Sequence, residues 1–204
     1  MAQHAPGFIT ASTVSPFISG KGDKILAGGK TAAIKLAMER SGLVHIANAK
    51  WEGNRYTEWG QEHEDEAITR YEEVTFSEVI GKQVGVAKGW LSCTPDGYIG
   101  SDGLIEVKCP YMEHIYMDYI INPEAFCDEY NDQVQFQLML TGKKWCDLVA
   151  YHPHFDESIN ILITRIEPDK DWQGRCLGRI TQVEAIIAET LEKIEQIKNG
   201  AKNG

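Results

Sequence analysis

Residues 94–110 read TPDGYIGSDGLIEVKCP, and the alternation of turn and strand chemistry in this stretch decides how the chain folds. Gly97 and the run Gly100, Ser101, Asp102, Gly103 are turn residues, so two short strands lie back to back as a hairpin at about residues 90–110. In the second strand the side chains alternate, sending Ile105 and Val107 into the core and Glu106 and Lys108 to one shared face. Asp96 stands just before the turn glycines, and hairpin pairing can bring its carboxylate close to that of Glu106. Two carboxylates in a mostly apolar setting repel unless something positive lies between them. An oxygen-only donor set with positions left for water and phosphate calls for Mg2+, with Mn2+ as a substitute and one or two ions per site. The backbone carbonyl of Val107, between the two charged positions, is a further candidate ligand.

That constellation suits phosphodiester hydrolysis. A divalent ion lowers the pKa of a bound water and neutralises charge on the phosphate, and a second ion stabilises the leaving oxygen. Lys108, one strand step from the acids, can orient the attacking water and bind the scissile phosphate. An Asp before a Gly is by itself an ordinary turn residue, and a lone E-x-K on a strand is an ordinary surface ion pair. It is P-D followed ten residues later by E-x-K, with a turn and an apolar strand between, that points to a nuclease centre.

Outward from the hairpin, residues 31–41 show helical spacing in Ile34, Ala37 and Met38, with Gly42 as the stop. A second helix is expected over about 55–73, with Trp59, Ala67 and Tyr71 on one side and many acids on the other. Val84, Val86, Trp90 and Leu91 among glycines read as short strands. Beyond the hairpin, 112–121 and 125–140 read as helices punctuated by Asn122 and Pro123, and 145–151 and 159–166 as a strand pair. A long amphipathic helix at about 171–198 carries Ile180, Val183, Ile187, Leu191 and Ile194. The fold class is α/β in the α+β sense, a mixed central sheet flanked by helices. No repeat or low-complexity linker interrupts the 204 residues, so a single nuclease domain over 1–204 is expected.

With 43% hydrophobic and 25% charged residues the composition is that of a globular protein, and no apolar run approaches the roughly 20 residues that span a bilayer. The first residues lack a basic start and a continuous apolar stretch, so the protein is expected to stay in the cytoplasm. Five scattered cysteines without CxxC spacing read as reduced, buried side chains. A net charge of −10 argues against a polyanionic partner only if it is uniform, and it is not. Residues 1–50 hold six Lys or Arg (Lys21, Lys24, Lys30, Lys35, Arg40, Lys50) against two acids, so the excess of acid lies beyond them.

The P-D and E-x-K pattern resembles the PD-(D/E)xK nuclease superfamily and its restriction-endonuclease-like core. Four segments in order resemble the phage lambda exonuclease family, with its YqaJ-like viral recombinases: GFITAS at 7–12, WGQEHEDEA at 59–67, the hairpin core, and DQVQFQL at 132–138. The resemblance implies that Asp96 and Glu106 are metal ligands, Lys108 the catalytic lysine, and Glu64 the acid completing the metal and water shell. It also implies that Gln133 lies beside the active site, with Tyr130 one turn before it on the same face. Ser12 matches a serine that contacts the 5'-terminal phosphate. The arginine that shortly precedes that serine in the family is absent here, leaving Lys21 or Lys24 to supply the charge. The implied activity is a magnesium-dependent 5'-to-3' exonuclease on double-stranded DNA ends, releasing 5'-mononucleotides and leaving a 3' single-stranded overhang. A homotrimeric ring and a single-strand annealing protein as partner are implied as well, with no membrane. An endonuclease of restriction or repair type, and a non-catalytic DNA-binding module with a structural metal, are the alternatives.

Two other motifs carry less. Gly28, Gly29, Lys30 and Thr31 suggest a phosphate loop, but no apolar strand precedes them; a basic loop with Lys30 on the DNA backbone fits better. His152, His154 and Asp156 alternate as metal ligands can, yet Pro153 and Phe155 favour a strand-to-turn exit.

Overall fold

The computed structural model describes residues 6–20, 22–43 and 55–202. The chain begins with β1 (Ile9–Thr10), a 3-10 turn (Ala11–Thr13), α1 (Ser15–Ile18), α2 (Ala27–Arg40) and α3 (Arg55–Thr75). Four short strands follow, β2 (Val79–Ile80), β3 (Val86–Lys88), β4 (Leu91–Cys93) and β5 (Gly97–Ile99), and then β6 (Gly103–Lys108). Helices α4 (Glu113–Ile121) and α5 (Pro123–Thr141) lead to β7 (Trp145–Tyr151), β8 (Ile161–Ile166) and α6 (Lys170–Lys202).

The main sheet has the order β2-β5-β6-β7-β8, antiparallel except for the central β6–β7 pair, which is parallel. A parallel neighbour needs a crossover, and α4 with α5 supplies it. Strand β6 is covered on both faces. Ile105 and Val107 pack with Ala67, Ile68 and Tyr71 of α3, whereas Leu104 packs with Val134 and Leu138 of α5. Glu106 and Lys108 therefore emerge on the α5 side, as strand alternation requires.

The helix α3 is fixed by more than apolar contact. The Tyr71 hydroxyl donates to the buried Asp147 at 2.6 Å, and Asp147 accepts two bonds from Arg165 at 2.8 and 2.9 Å. A second tyrosine, Tyr151, donates to Glu66 at 2.8 Å. Both tyrosine bonds hold α3 on the C-terminal side of Glu64.

Two expectations need correction, and one pairing was not read. The short strands expected around 84–91 are β3 and β4, which form a second sheet with β1, in which Ile9 is opposite Leu91 in parallel register. Pairing across eighty residues leaves no local periodicity to read. Gly28 to Thr31 are not a loop but the first turn of α2. Gly29 is small because α1 lies against it: an added Cβ would sit 2.7 Å from the Pro16 carbonyl and 2.6 Å from Ile25. The last strand begins at Ile161 rather than 159, because Asp156 first closes a turn on Ile159.

Gly97, next to Asp96, is pressed between strands, where a Cβ would meet Val79 Cγ1 at 2.3 Å and Ile105 Cγ2 at 3.2 Å. Gly97→Ala must push β2 off the hairpin at a cost of about 1–3 kcal/mol. Denaturant unfolding monitored by the tryptophans will show the midpoint falling with the slope unchanged.

Candidate active site

The residues of the hairpin motif meet in the middle of the main sheet, on β6 and at the start of β5. The register that pairs Gly97 with Ile105 continues outward to set Asp96 opposite Glu106. Asp96 is anchored by accepting the Val107 backbone N–H at 2.7 Å. A cleft of about 310 Å³ is lined by Glu64 of α3, by Asp96, and by Glu106, Val107 and Lys108 of β6, with Tyr130 of α5. Thr57, Gly60 and Gln61 of α3 and Cys109 and Pro110 close the rest of its wall.

Glu106 is only 3% exposed, and both its oxygens are engaged. Oε1 accepts from Lys108 Nζ at 2.7 Å and from Gln133 Nε2 at 2.5 Å; Oε2 accepts from Gln137 Nε2 at 2.7 Å. The Gln133 side-chain oxygen accepts in turn from Lys108 at 3.2 Å, and the ammonium lies 4.7 Å from the Tyr130 ring centre. Tyr130 is held by a hydroxyl contact to Tyr119 at 3.2 Å. The spacing of Gln133 and Gln137, one turn apart on α5, presents both amides to the same carboxylate.

The electrostatics follow from this crowding. Burial pushes the Asp96 carboxyl well above its ordinary range, and the Glu106 charge adds to it. Burial also raises Glu64, whose Oε1 accepts from Gln83 Nε2 at 2.8 Å. Burial opposes the charge on Lys108, but Glu106 and then Asp96 outweigh it, and the ammonium is held above its usual value. The site thus concentrates three carboxyls against one cation. A divalent ion fits such a donor set: hard oxygen ligands, excess negative charge, and two carboxyls that burial and mutual repulsion penalise. Asp96 and Glu106 would hold it.

Other residues singled out in the sequence lie apart from this wall. Ser12 is exposed in the 3-10 turn, 3.2 Å from the Thr10 hydroxyl. Lys24 and Lys30 are exposed, before and within the first turn of α2, and neither lines the cleft; Lys21 lies outside the described residues. Two contributors were not read from sequence. Gln137 is one helical turn beyond Gln133 in the motif DQVQFQL, a signal that was available. Gln83 was not legible: it sits with φ of +61°, a left-handed conformation uncommon for a side chain of its size, and so reaches Glu64 from the β2–β3 turn.

The mixed sheet, with the acids on paired strands and Lys108 two residues beyond Glu106, defines the PD-(D/E)xK class of nuclease folds. The sequence profile of the YqaJ-like viral recombinase domain matches residues 6–144, and the chain belongs to that family, the lambda exonuclease family. Among solved structures, an alkaline exonuclease from Laribacter hongkongensis is 28% identical with a TM-score of 0.76, covering 98% of this chain and 95% of that one. The same enzyme has been solved in complex with dAMP, with the same figures. A phage-related exonuclease from Haemophilus somnus shares the fold at 13% identity and a TM-score of 0.79, covering 92% of this chain and 96% of that one. Comparison with curated proteins gave no match.

The folded chain holds the Asp96 proton more tightly than the unfolded chain, so stability falls as pH rises above the ordinary value of 3.8 through the raised one. At neutral pH without a divalent ion the full penalty is present. Asp96→Asn keeps an acceptor for the Val107 N–H and removes the charge. Thermal melts in chelator at pH 7 will show the variant more stable by about 1 kcal/mol, a rise of roughly 2–4 °C, and the gain will vanish at acid pH.

Proposed function

We propose that this chain is a divalent-metal-dependent exonuclease that degrades one strand of double-stranded DNA from its 5' end, releasing 5'-mononucleotides and leaving a 3' overhang. The observation that supports it above all is the convergence of Asp96, Glu106, Lys108 and Glu64 on one cleft. Family membership and the likeness to an alkaline exonuclease point the same way.

Asp96 and Glu106, with the Val107 carbonyl, would hold Mg2+ or Mn2+, which would supply the positive charge that activates water and neutralises the phosphate. Lys108 is the only cation lining the cleft among the described residues, and its partners Glu106, Gln133 and Tyr130 fix the ammonium in place. It donates to a non-bridging oxygen of the scissile phosphate, where charge builds as the bond breaks. Glu64 accepts a proton from the attacking water, a role helped by burial, which raises its carboxyl above the ordinary value. Gln133 and Gln137 hold the Glu106 side chain aimed at the cleft. Ser12, Lys24 and Lys30 would grip the 5'-phosphate and the backbone. The excess of positive charge in the first 50 residues suits a DNA channel, formed in a trimeric ring, with an annealing protein receiving the exposed strand in the bacterial cytoplasm. Among the described residues no helix is long and apolar enough to cross a membrane.

The direct test is digestion of a 5'-phosphorylated linear duplex and a closed circular duplex with Mg2+, with and without chelator. Mononucleotides should appear from the linear DNA alone, and only with the metal. Cutting of the circle would establish an endonuclease instead, and cleavage that survives chelation would remove the cation from the mechanism. Lys108→Ala should lower kcat by about 100- to 1000-fold with the fold kept. In single-turnover assays Gln137→Leu, which strips from Glu106 Oε2 its one donor among the described residues, should lose roughly tenfold or more and require higher Mg2+.

A further inference from the structure

We propose that Glu113, His152 and His154 form a second cation site, separate from the catalytic cleft and chemically suited to zinc. One ligating atom from each residue lies within 4.8 Å of the others, and none of the three lines the cleft. Glu113 opens α4, while His152 directly follows β7 and His154 lies two residues further on.

The cluster has features that packing alone does not account for. His152 is 0% exposed, yet among the described residues its Nε2 makes no hydrogen bond of ordinary geometry, the Tyr111 backbone lying near enough only for a weak interaction with the ring. A polar nitrogen left so in a protein interior is costly and calls for a partner. Its Nδ1 accepts the His154 backbone N–H at 3.2 Å. The His154 Nδ1 stands 3.7 Å from Glu113 Oε1, too far for a hydrogen bond and close to the spacing of two ligands on one ion. Trp59 walls the group, its ring centre 5.7 Å from that of His152 and 5.4 Å from that of His154. Burial, followed by the neighbouring His154, lowers His152 and keeps it in the neutral form that can ligate.

Two imidazoles and one carboxylate favour zinc, cobalt or nickel over magnesium, the reverse of the all-oxygen set in the cleft. At Zn–N and Zn–O distances of about 2.0–2.2 Å the ligands of a tetrahedral ion lie roughly 3.3 Å apart. The exposed side chains of Glu113 and His154 must therefore close in on the buried His152, and water takes the fourth position. Asp156, the third residue of the alternating run, is absent from the cluster because its carboxylate accepts from Ser158 N–H and Oγ at 2.9 and 2.7 Å. Whichever nitrogen of His152 takes the ion, the contact with the His154 amide opens, since ligation through Nε2 moves the imidazole proton to Nδ1. Glu113 lies five residues after Lys108 and Pro110 lines the cleft, so the ion would tie the segment leaving β6 to the exit of β7.

The test is titration of the metal-free full-length chain with zinc, followed by calorimetry and by the amide spectrum of His154. Wild type should bind zinc in the presence of excess Mg2+, with the His154 amide signal displaced. His154→Ala and Glu113→Gln, both at exposed positions, should weaken binding by roughly tenfold or more while melting as wild type does in chelator. Asp96→Asn should bind zinc as wild type does. Equal zinc affinity in wild type and both cluster variants, loss of zinc in Asp96→Asn, or no zinc bound to wild type would overturn the site.

Discussion

A carboxylate that is almost wholly removed from water organises this molecule. Glu106 sits in the middle of the sheet at 3% exposure, and a charge there is tolerated only if it is surrounded by donors. Lys108, Gln133 and Gln137 meet that requirement from two elements, the strand itself and α5. The parallel β6–β7 pair makes this possible, because its crossover through α4 and α5 lays a helix directly over the acid. Asp96 adds a second acid on the neighbouring strand, and the site is left with more negative charge than its own lysine can offset. The same arrangement that burdens the empty fold prepares it for a divalent ion.

The core of the site was legible because strand geometry is simple. A period of two fixes which face Glu106 and Lys108 share, and a short hairpin fixes which residue faces Glu106 across the gap. Gln133 came only through resemblance, and Gln137 went unread although helical spacing places it on the same stripe. Gln83 could not have been found from sequence, since its role rests on a left-handed backbone in a turn and on packing distant in the chain. The histidines show the opposite case. Alternation suggested His152, His154 and Asp156 as a set, whereas the third member is Glu113, brought in by the tertiary fold.

The long elements followed their periodicity closely. The helices expected over 55–73, 112–121, 125–140 and 171–198 each lie within a few residues of the observed bounds. What escaped was long-range or compensated. The small sheet depends on β1 finding β4, and the glycine pair at 28–29 read as a loop although close approach of α1 makes a glycine at position 29 fit within a helix.

The order in which parts of the chain can assemble follows from the contacts of α6. Arg40 makes a paired bond to Glu184 at 2.7 and 3.0 Å, and Arg179 donates to the carbonyls of Ser19, Gly20 and Gly22. Arg40 also donates to the Gly7 carbonyl at 2.8 Å, so the earliest described residues depend on partners among the latest. During synthesis on the ribosome the main sheet has all its strands before α6 emerges and β1 can already pair with β4, while α1 and α2 must wait for the last helix to cover them. A message truncated within α6 would therefore yield a chain with its main sheet complete and with α1 and α2 stripped of their cover.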